Sequence, residues 1–186
     1  AEIEQLVEQT IDEVADPIVY AEALTLIDQH KRAGRKVVIV SASPEQIVRP
    51  LGRHIGVTDF IATKVKTDAA GFFLNELELY AMGEGKVEAI NDLAEREEID
   101  LDNSYAYSDS VTDLPMMEMV GNPVAVNPDR DLRKVAEERE WPIEEFERQV
   151  SLRTRLPSPN PWWSGATVAG VAAAVAVTIL LRKRDF

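Results

Sequence analysis

The chain has no cysteine. Disulfides, thiolate nucleophiles and cysteine-ligated zinc are therefore excluded, and the composition suits a reducing compartment. Histidine is nearly absent as well. His30 and His54 are the two present, both on predicted helices away from any motif, where we read them as surface or packing residues. Basic residues are few against acidic ones, 20 to 33, for a net charge of −13. The stretch from Trp162 onward contributes +2 through Arg182, Lys183, Arg184 and Asp185, so the remainder carries −15. So acidic a body repels a phosphate backbone, which argues against nucleic acid as a partner. Hydrophobic residues make up 45% of the chain, enough to bury a sizeable core.

Segments of helical and strand pattern alternate. Ile3, Leu6, Val7, Ile11 and Val14 recur at helical spacing from the first residues on. The chain opens on Ala1 inside this pattern, which we read as the end of something longer, with residues 1–15 a remnant of a helical cap. Asp16-Pro17 starts a second helix that stops at Gly34. Lys36 to Val40 is a continuous apolar run, as in a strand buried on both faces. Ser43-Pro44-Glu45-Gln46 reads as the next helix start, with Ser43 as cap. Phe60 to Thr67 and Phe72 to Leu79 flank Asp68-Ala69-Ala70-Gly71 as a hairpin. A helix follows from Gly85, a strand over Ser104 to Ser108, a short helix over Asp113 to Val120, a strand over Pro123 to Asn127 and a helix capped by Asp129. Such alternation predicts a parallel sheet with helices on both faces, an α/β three-layer fold over residues 16–148.

The end of the chain has another character. Pro157, Pro159 and Pro161 punctuate a linker over 149–161. Ser164 to Leu181 then runs eighteen residues without a charge. At ~1.5 Å per residue a helix of that length reaches ~27 Å, near the ~30 Å of a bilayer's hydrocarbon. Trp162 and Trp163 stand where an aromatic belt belongs, and Arg182-Lys183-Arg184 follows. We expect a transmembrane helix over 162–182 with a basic tail at 183–186, and hence membrane lipid as a partner. Arginines on both sides of the span leave its topology open.

Three places carry chemistry. In an open parallel sheet, ligands bind at the carboxyl ends of the strands. The strand at Val37 to Val40 ends in Ser41-Ala42-Ser43, where a hydroxyl can donate to a phosphate oxygen. The strand ending at Ser108 leads into Asp109-Ser110-Val111-Thr112-Asp113, which sets two carboxylates in the crevice. Hard oxygen ligands of this kind suit Mg²⁺, and Mg²⁺ suits a phosphoryl substrate. Lys86 follows Gly83-Glu84-Gly85 at a helix start. A lysine is disfavoured there by the helix dipole, yet well placed to neutralise a phosphate.

In this order, Val-Val-Ile-Val-Ser, the Gly-Glu-Gly-Lys run and Tyr-Ser-Asp-Ser-Val-Thr-Asp-Leu-Pro-Met-Met-Glu resemble motifs II, III and IV of the haloacid dehalogenase (HAD) phosphatases. The similarity is greatest to the phosphoserine-phosphatase-like subfamily and spans Asp16 to about Phe146. Thr112 stands where those phosphatases often have asparagine, and Ser110 where they have glycine. The resemblance implies a Rossmann-like HAD core with an incomplete helical cap. It implies that Ser41, Ala42 and Lys86 bind the phosphoryl group, that Asp109 ligates Mg²⁺ and that Asp113 supports the site. The family's nucleophile is an Asp-x-Asp motif at the end of a strand preceding all of these. Asp100-x-Asp102 lies before a strand, at the wrong end of the sheet, and Asp129-x-Asp131 at a helix start, so we expect the nucleophile upstream of Ala1 and this chain alone to be inactive. The implied activity is Mg²⁺-dependent hydrolysis of a small phosphomonoester, in the cytoplasm. A non-catalytic, membrane-tethered interaction domain or a phosphotransferase are the alternatives. The substrate and the oligomeric state are not legible.

Overall fold

Four consecutive buried residues, Val37, Val38, Ile39 and Val40, divide between two cores. Val37 and Ile39 pack on one face of the sheet with Ile27 and Val48. Val38 and Val40 pack on the other with Ile90, Leu93, Met116, Met117 and Leu132. This is the period-two alternation of a strand covered on both sides. Each such side chain contributes about 1.5–3 kcal/mol of burial.

The computed structural model describes residues 19–68 and 72–150, with the backbone of 178–183. The elements are α1 (Ala21–Arg32), β1 (Lys36–Pro44), α2 (Glu45–His54), β2 (Asp59–Thr67), β3 (Phe73–Leu79), α3 (Glu84–Glu97), β4 (Ile99–Ser108), a 3₁₀ turn (Val111–Asp113), α4 (Leu114–Met117), β5 (Asn122–Val126), α5 (Arg130–Glu138), β6 (Ile143–Glu144) and β7 (Thr178–Lys183). They form a seven-stranded sheet in the order β3-β2-β1-β7-β4-β5-β6. Strand β1 is parallel to β2, β4 to β5 and β5 to β6. Helices α1 and α2 cover one face, and α3, α4 and α5 the other. The three-layer α/β arrangement is as expected, but the sheet is mixed: β3 is antiparallel to β2, and β7 to both its neighbours.

Several boundaries move for identifiable reasons. Strand β1 runs on to Pro44 because its pairing with β2 continues through a register shift between Ser41 and Pro44. Helix α2 therefore has Pro44 as its N-cap, without a side-chain capping bond, and Ser43 is not the cap. Strand β4 begins at Ile99, so Asp100 and Asp102 lie inside it, at its amino end. The hairpin closes with the Asp68 amide donating to the Phe72 carbonyl at 2.9 Å, and the Phe72 amide to Asp68 Oδ1 at 2.9 Å; Ala69, Ala70 and Gly71 lie outside the described residues.

The largest departure is β7. Its Thr178 to Leu181 pairs with Lys36 to Ile39 of β1 on one side and reaches β4 on the other. Strands β1 and β4 run in the same direction, and β7 is inserted against both. The last residues of the expected transmembrane helix are thus a strand here. The reason is edge pairing: Thr178 and Ile179 are β-branched strand formers, and two unfilled ladders offer the segment backbone partners. Among the described residues, no helix is long and apolar enough to cross a membrane. Residues 1–15, expected as a cap remnant, most of the expected linker and residues 162–177 lie outside the described residues.

Candidate active site

Buried charge concentrates where α3 begins and β4 ends. Lys86 and Asp113 are 6% and 4% exposed, and the Lys86 ammonium donates to Asp113 Oδ1. The other carboxylate oxygen of Asp113 accepts from the Ser108 hydroxyl at 2.8 Å. That hydroxyl in turn accepts from the Ser110 amide at 3.2 Å. Asp113 is therefore no plain helix cap. It makes no capping bond to α4, and its charge is spent fixing the lysine. An ammonium has three donors and no acceptor, so Lys86 keeps hydrogens for an anion.

The local chain brings Lys86 to this point through close packing. Gly83 has φ +54 and begins α3. A Cβ on Gly85 would lie 2.1 Å from the Tyr80 carbonyl oxygen, so only glycine fits. The Gly85 amide donates to the Met82 carbonyl and the Lys86 amide to the Gly83 carbonyl, each at 3.1 Å. These first-turn amides are thus engaged in the turn, and the positive charge offered here is that of the side chain.

Asp109 follows the last residue of β4 and is half-buried. Burial pushes its carboxyl above the ordinary range; the charges of Asp113 and Asp129 act in the same direction, while its own amide and Lys86 pull it back. Asp129 had been read only as a cap. It does cap α5, accepting from the Leu132 amide at 2.7 Å, and it also accepts from the Val111 amide at 2.9 Å. Burial pushes the Asp129 carboxyl up, but these amides outweigh it and hold it below the usual carboxylate range. Asp109 is thus left among carboxylates, with Lys86 bonded to Asp113 rather than to it. Their negative charge is what a divalent cation offsets. Among the described residues no group of three histidine or acidic ligands is gathered.

Ser41 lies at the other rim. It is 4% exposed, and its Oγ accepts from the Ser43 amide at 3.1 Å, which leaves the hydroxyl hydrogen to donate. Ile39 and Tyr107 both pair with Thr178 of β7. Ser41 and Asp109, each two residues further on, therefore stand level on either side of β7, two strand spacings or roughly 9–10 Å apart. Ala42 is exposed beside Ser41, and its carbonyl accepts from the Thr63 hydroxyl at 2.7 Å.

All the expected residues thus lie at one end of the sheet, with Lys86 and Asp113 in contact. Sequence reading missed Ser108 and Thr63. Ser108 stood within the Tyr-Ser-Asp run and could have been noticed as a hydroxyl beside two carboxylates. Thr63 gave no signal. Both histidines lie outside the cluster. His30 is buried among Tyr105 and Tyr107 and shares a 3.1 Å hydrogen bond with the Tyr107 hydroxyl, a packing role. The groove lined by Met117, Gly121 and Trp141 lies at the amino end of β5, away from these groups.

Known proteins are similar to this chain. A Mycobacterium tuberculosis protein named "Probable phosphatase Rv3661" is 46% identical over 187 residues, covering 99% of this chain and 65% of that protein. "Phosphoserine phosphatase SerB1" of the same species is 34% identical over 174 residues, covering 93% of this chain and 56% of that protein. The chain thus spans 65% and 56% of these two relatives' own length. The crystal structure of a protein with unknown function from Bordetella pertussis Tohama I superposes with a TM-score of 0.71 at 30% identity, covering 77% of this chain and 66% of that one. The family model of haloacid dehalogenase-like hydrolases matches residues 1–118, which include Ser41, Lys86, Asp109 and Asp113. With that match over more than half its length, the chain belongs to the haloacid dehalogenase-like hydrolase family.

Proposed function

We propose that this chain supplies the phosphoryl-binding half of a Mg²⁺-dependent phosphomonoesterase. The observation that carries this is the buried Lys86–Asp113 pair, held by Ser108 at the strand ends where Ser41 and Asp109 also stand. A buried lysine locked by one carboxylate is expensive to maintain, and it places a fixed positive charge where a phosphoryl group's equatorial oxygens gather charge. Ser41 donates to another of those oxygens. Asp109 would hold Mg²⁺, which supplies charge neutralisation for the transferring group and the leaving oxygen. The two relatives' names, a phosphatase and a phosphoserine phosphatase, point to the same chemistry.

The reaction needs a nucleophile that none of these groups provides. Lys86 and Asp113 neutralise each other, and Ser41 has no histidine beside it: His30, on α1, is engaged with Tyr107 of β4. The slot between β1 and β4 accounts for it. A strand running parallel to both, with a carboxylate at its carboxyl end, would bring that group between Ser41 and Asp109. The carboxylate attacks phosphorus, the P–O bond to the alcohol breaks, and the departing alkoxide takes a proton from solvent water. Water then cleaves the aspartyl-phosphate to give phosphate and the free carboxylate. Strand β7 runs the wrong way for this and presents only its amino end there.

One slot holds one strand, so a nucleophile-bearing strand displaces Thr178–Lys183. Thr178 to Leu181 of the displaced segment belong to the eighteen uncharged residues that suit a bilayer, and we place the enzyme as a single-pass membrane protein with its domain in the cytoplasm, acting on a small phosphorylated substrate. In the arrangement with β7 in place, the chain is inactive. The test is phosphate binding. The purified chain with Mg²⁺ should bind inorganic phosphate, and Lys86→Met should abolish that binding; phosphate affinity unchanged by Lys86→Met would overturn the reading.

A further inference from the structure

We propose that Thr63 is a positioning residue that sets the Ser41 hydroxyl and the Lys86 ammonium relative to each other; this rests on the phosphoryl-binding reading above. Thr63 lies in β2, 6% exposed, beside the register shift with which β1 ends. Its single hydroxyl does two things. It donates to the Ala42 carbonyl at 2.7 Å, and it accepts from the Ala81 amide at 3.3 Å. No other chemistry is asked of it, and no substrate group needs to reach it.

Each bond leads to one arm of the site. The Ala42 carbonyl and the Ser43 amide belong to the same peptide plane. With the carbonyl tied to Thr63, the amide is turned the opposite way, and it donates to Ser41 Oγ at 3.1 Å. Peptide planarity makes this a rigid relay. Thr63 therefore fixes which lone pair of Ser41 is occupied, and so where its hydrogen can point.

The second bond leads to Lys86. Ala81 is fully buried and begins a tight turn. The Met82 amide donates to the Tyr80 carbonyl at 2.9 Å, the Gly85 amide to Met82 and the Lys86 amide to Gly83. Gly85 rests against the Tyr80 carbonyl with no room for a Cβ. The turn from Tyr80 to Lys86 thus behaves as one block, and the Ala81 amide anchors that block to Thr63. A valine has nearly the same shape but neither donates nor accepts. It would leave a buried amide and a carbonyl without their partner and uncouple the two arms.

The experiment measures the dissociation constant of inorganic phosphate for the full chain with Mg²⁺, by calorimetry, in Thr63→Val and Thr63→Ser. Thermal unfolding is followed alongside. Loss of a hydrogen bond that positions a ligand group corresponds to about a tenfold weakening, expected for Thr63→Val. Thr63→Ser keeps the hydroxyl and should stay within about twofold, since ~0.4 kcal/mol or less is at stake. In a Ser41→Ala background the Thr63→Val penalty should shrink, an effect that a purely structural role does not produce. Parental affinity in Thr63→Val, or equal weakening in Thr63→Ser, would overturn the proposal. If Thr63→Val does not fold, Thr63→Ala against Thr63→Ser decides it: alanine must bind more weakly than serine, and equal affinities refute the role. Phosphate binding that Lys86→Met abolishes and Thr63→Val leaves intact sinks this inference alone. A parent chain that binds no phosphate sinks the underlying reading as well.

Discussion

Lys86 and Asp113, 27 residues apart in the chain, meet as a buried ion pair whose second carboxylate oxygen is held by Ser108 at 2.8 Å. Neither charge can be removed alone without stranding the other. Lys86→Met should destabilise the fold by about 3 kcal/mol, because it leaves the Asp113 charge buried and unpaired. The double variant Lys86→Met with Asp113→Leu should recover much of that loss. Urea unfolding midpoints measure both. A single variant as stable as the parent would show that the pair is not buried as described.

Asp109 gives a prediction of opposite sign. Its carboxyl is raised, so in the native protein it holds a proton through a range of pH in which the unfolded chain has already released it. Its contribution to stability is therefore greatest at low pH and is lost as pH rises through the raised value. At neutral pH without a cation, Asp109→Asn should stabilise the protein, raising Tm by about 2 °C for about 0.5–1 kcal/mol. Mg²⁺ at a hundred times its dissociation constant should add about 2.7 kcal/mol to the parent and nothing to the variant. Equal stabilisation of both by Mg²⁺ would remove Asp109 from the metal site.

His30 couples stability to pH in the other direction. Burial, and after it Arg35, lowers its pKa to about 4 from an ordinary 6.5. The native state keeps it neutral while the unfolded chain takes up a proton. Its stabilisation is fully present above about pH 6.5 and is lost on acidification toward about pH 4, by at most ~1.4 kcal/mol per pH unit. His30→Gln should flatten unfolding free energies measured between about pH 7 and pH 4.5. Identical pH dependence in both proteins would contradict the burial of a neutral imidazole.

Strand β7 fills both ladders between β1 and β4. Ending the chain at Pro157 should therefore give a domain with a lower Tm that self-associates through the opened edges. Sedimentation velocity reads the association directly. A monomer of unchanged Tm would show that β7 contributes nothing in solution, leaving its segment to the bilayer.

What could be read beforehand depended on range. Strand β1 was visible because Val37 to Val40 form a continuous apolar run, and Lys86, Asp109 and Asp113 stood out because each sits oddly in its local context. Ser43 was misread as a cap because the end of β1 is decided by its pairing with β2. The partner of Asp113 was not legible, because Lys86 lies 27 residues away. Thr63 is an ordinary strand threonine until Ala42 and Ala81 are brought to it. The β7 slot was beyond local pattern altogether: an uncharged segment reads as a membrane span whatever edges elsewhere in the fold lie unfilled.

The central claim is that the site binds and neutralises a phosphoryl group and is completed by a strand entering between β1 and β4. Fusing an apolar strand ending in Asp-x-Asp to the N-terminus, with a helical connection long enough to reach the slot, tests it most directly. Turnover of a generic phosphomonoester with Mg²⁺ is measured for the fused and unfused chains. No turnover is expected of the unfused chain, turnover of the fusion, and its loss when the first added aspartate becomes asparagine. Robust turnover by the unfused chain, abolished by Asp109→Asn, would contradict the claim, because the nucleophile would then lie among the residues already present.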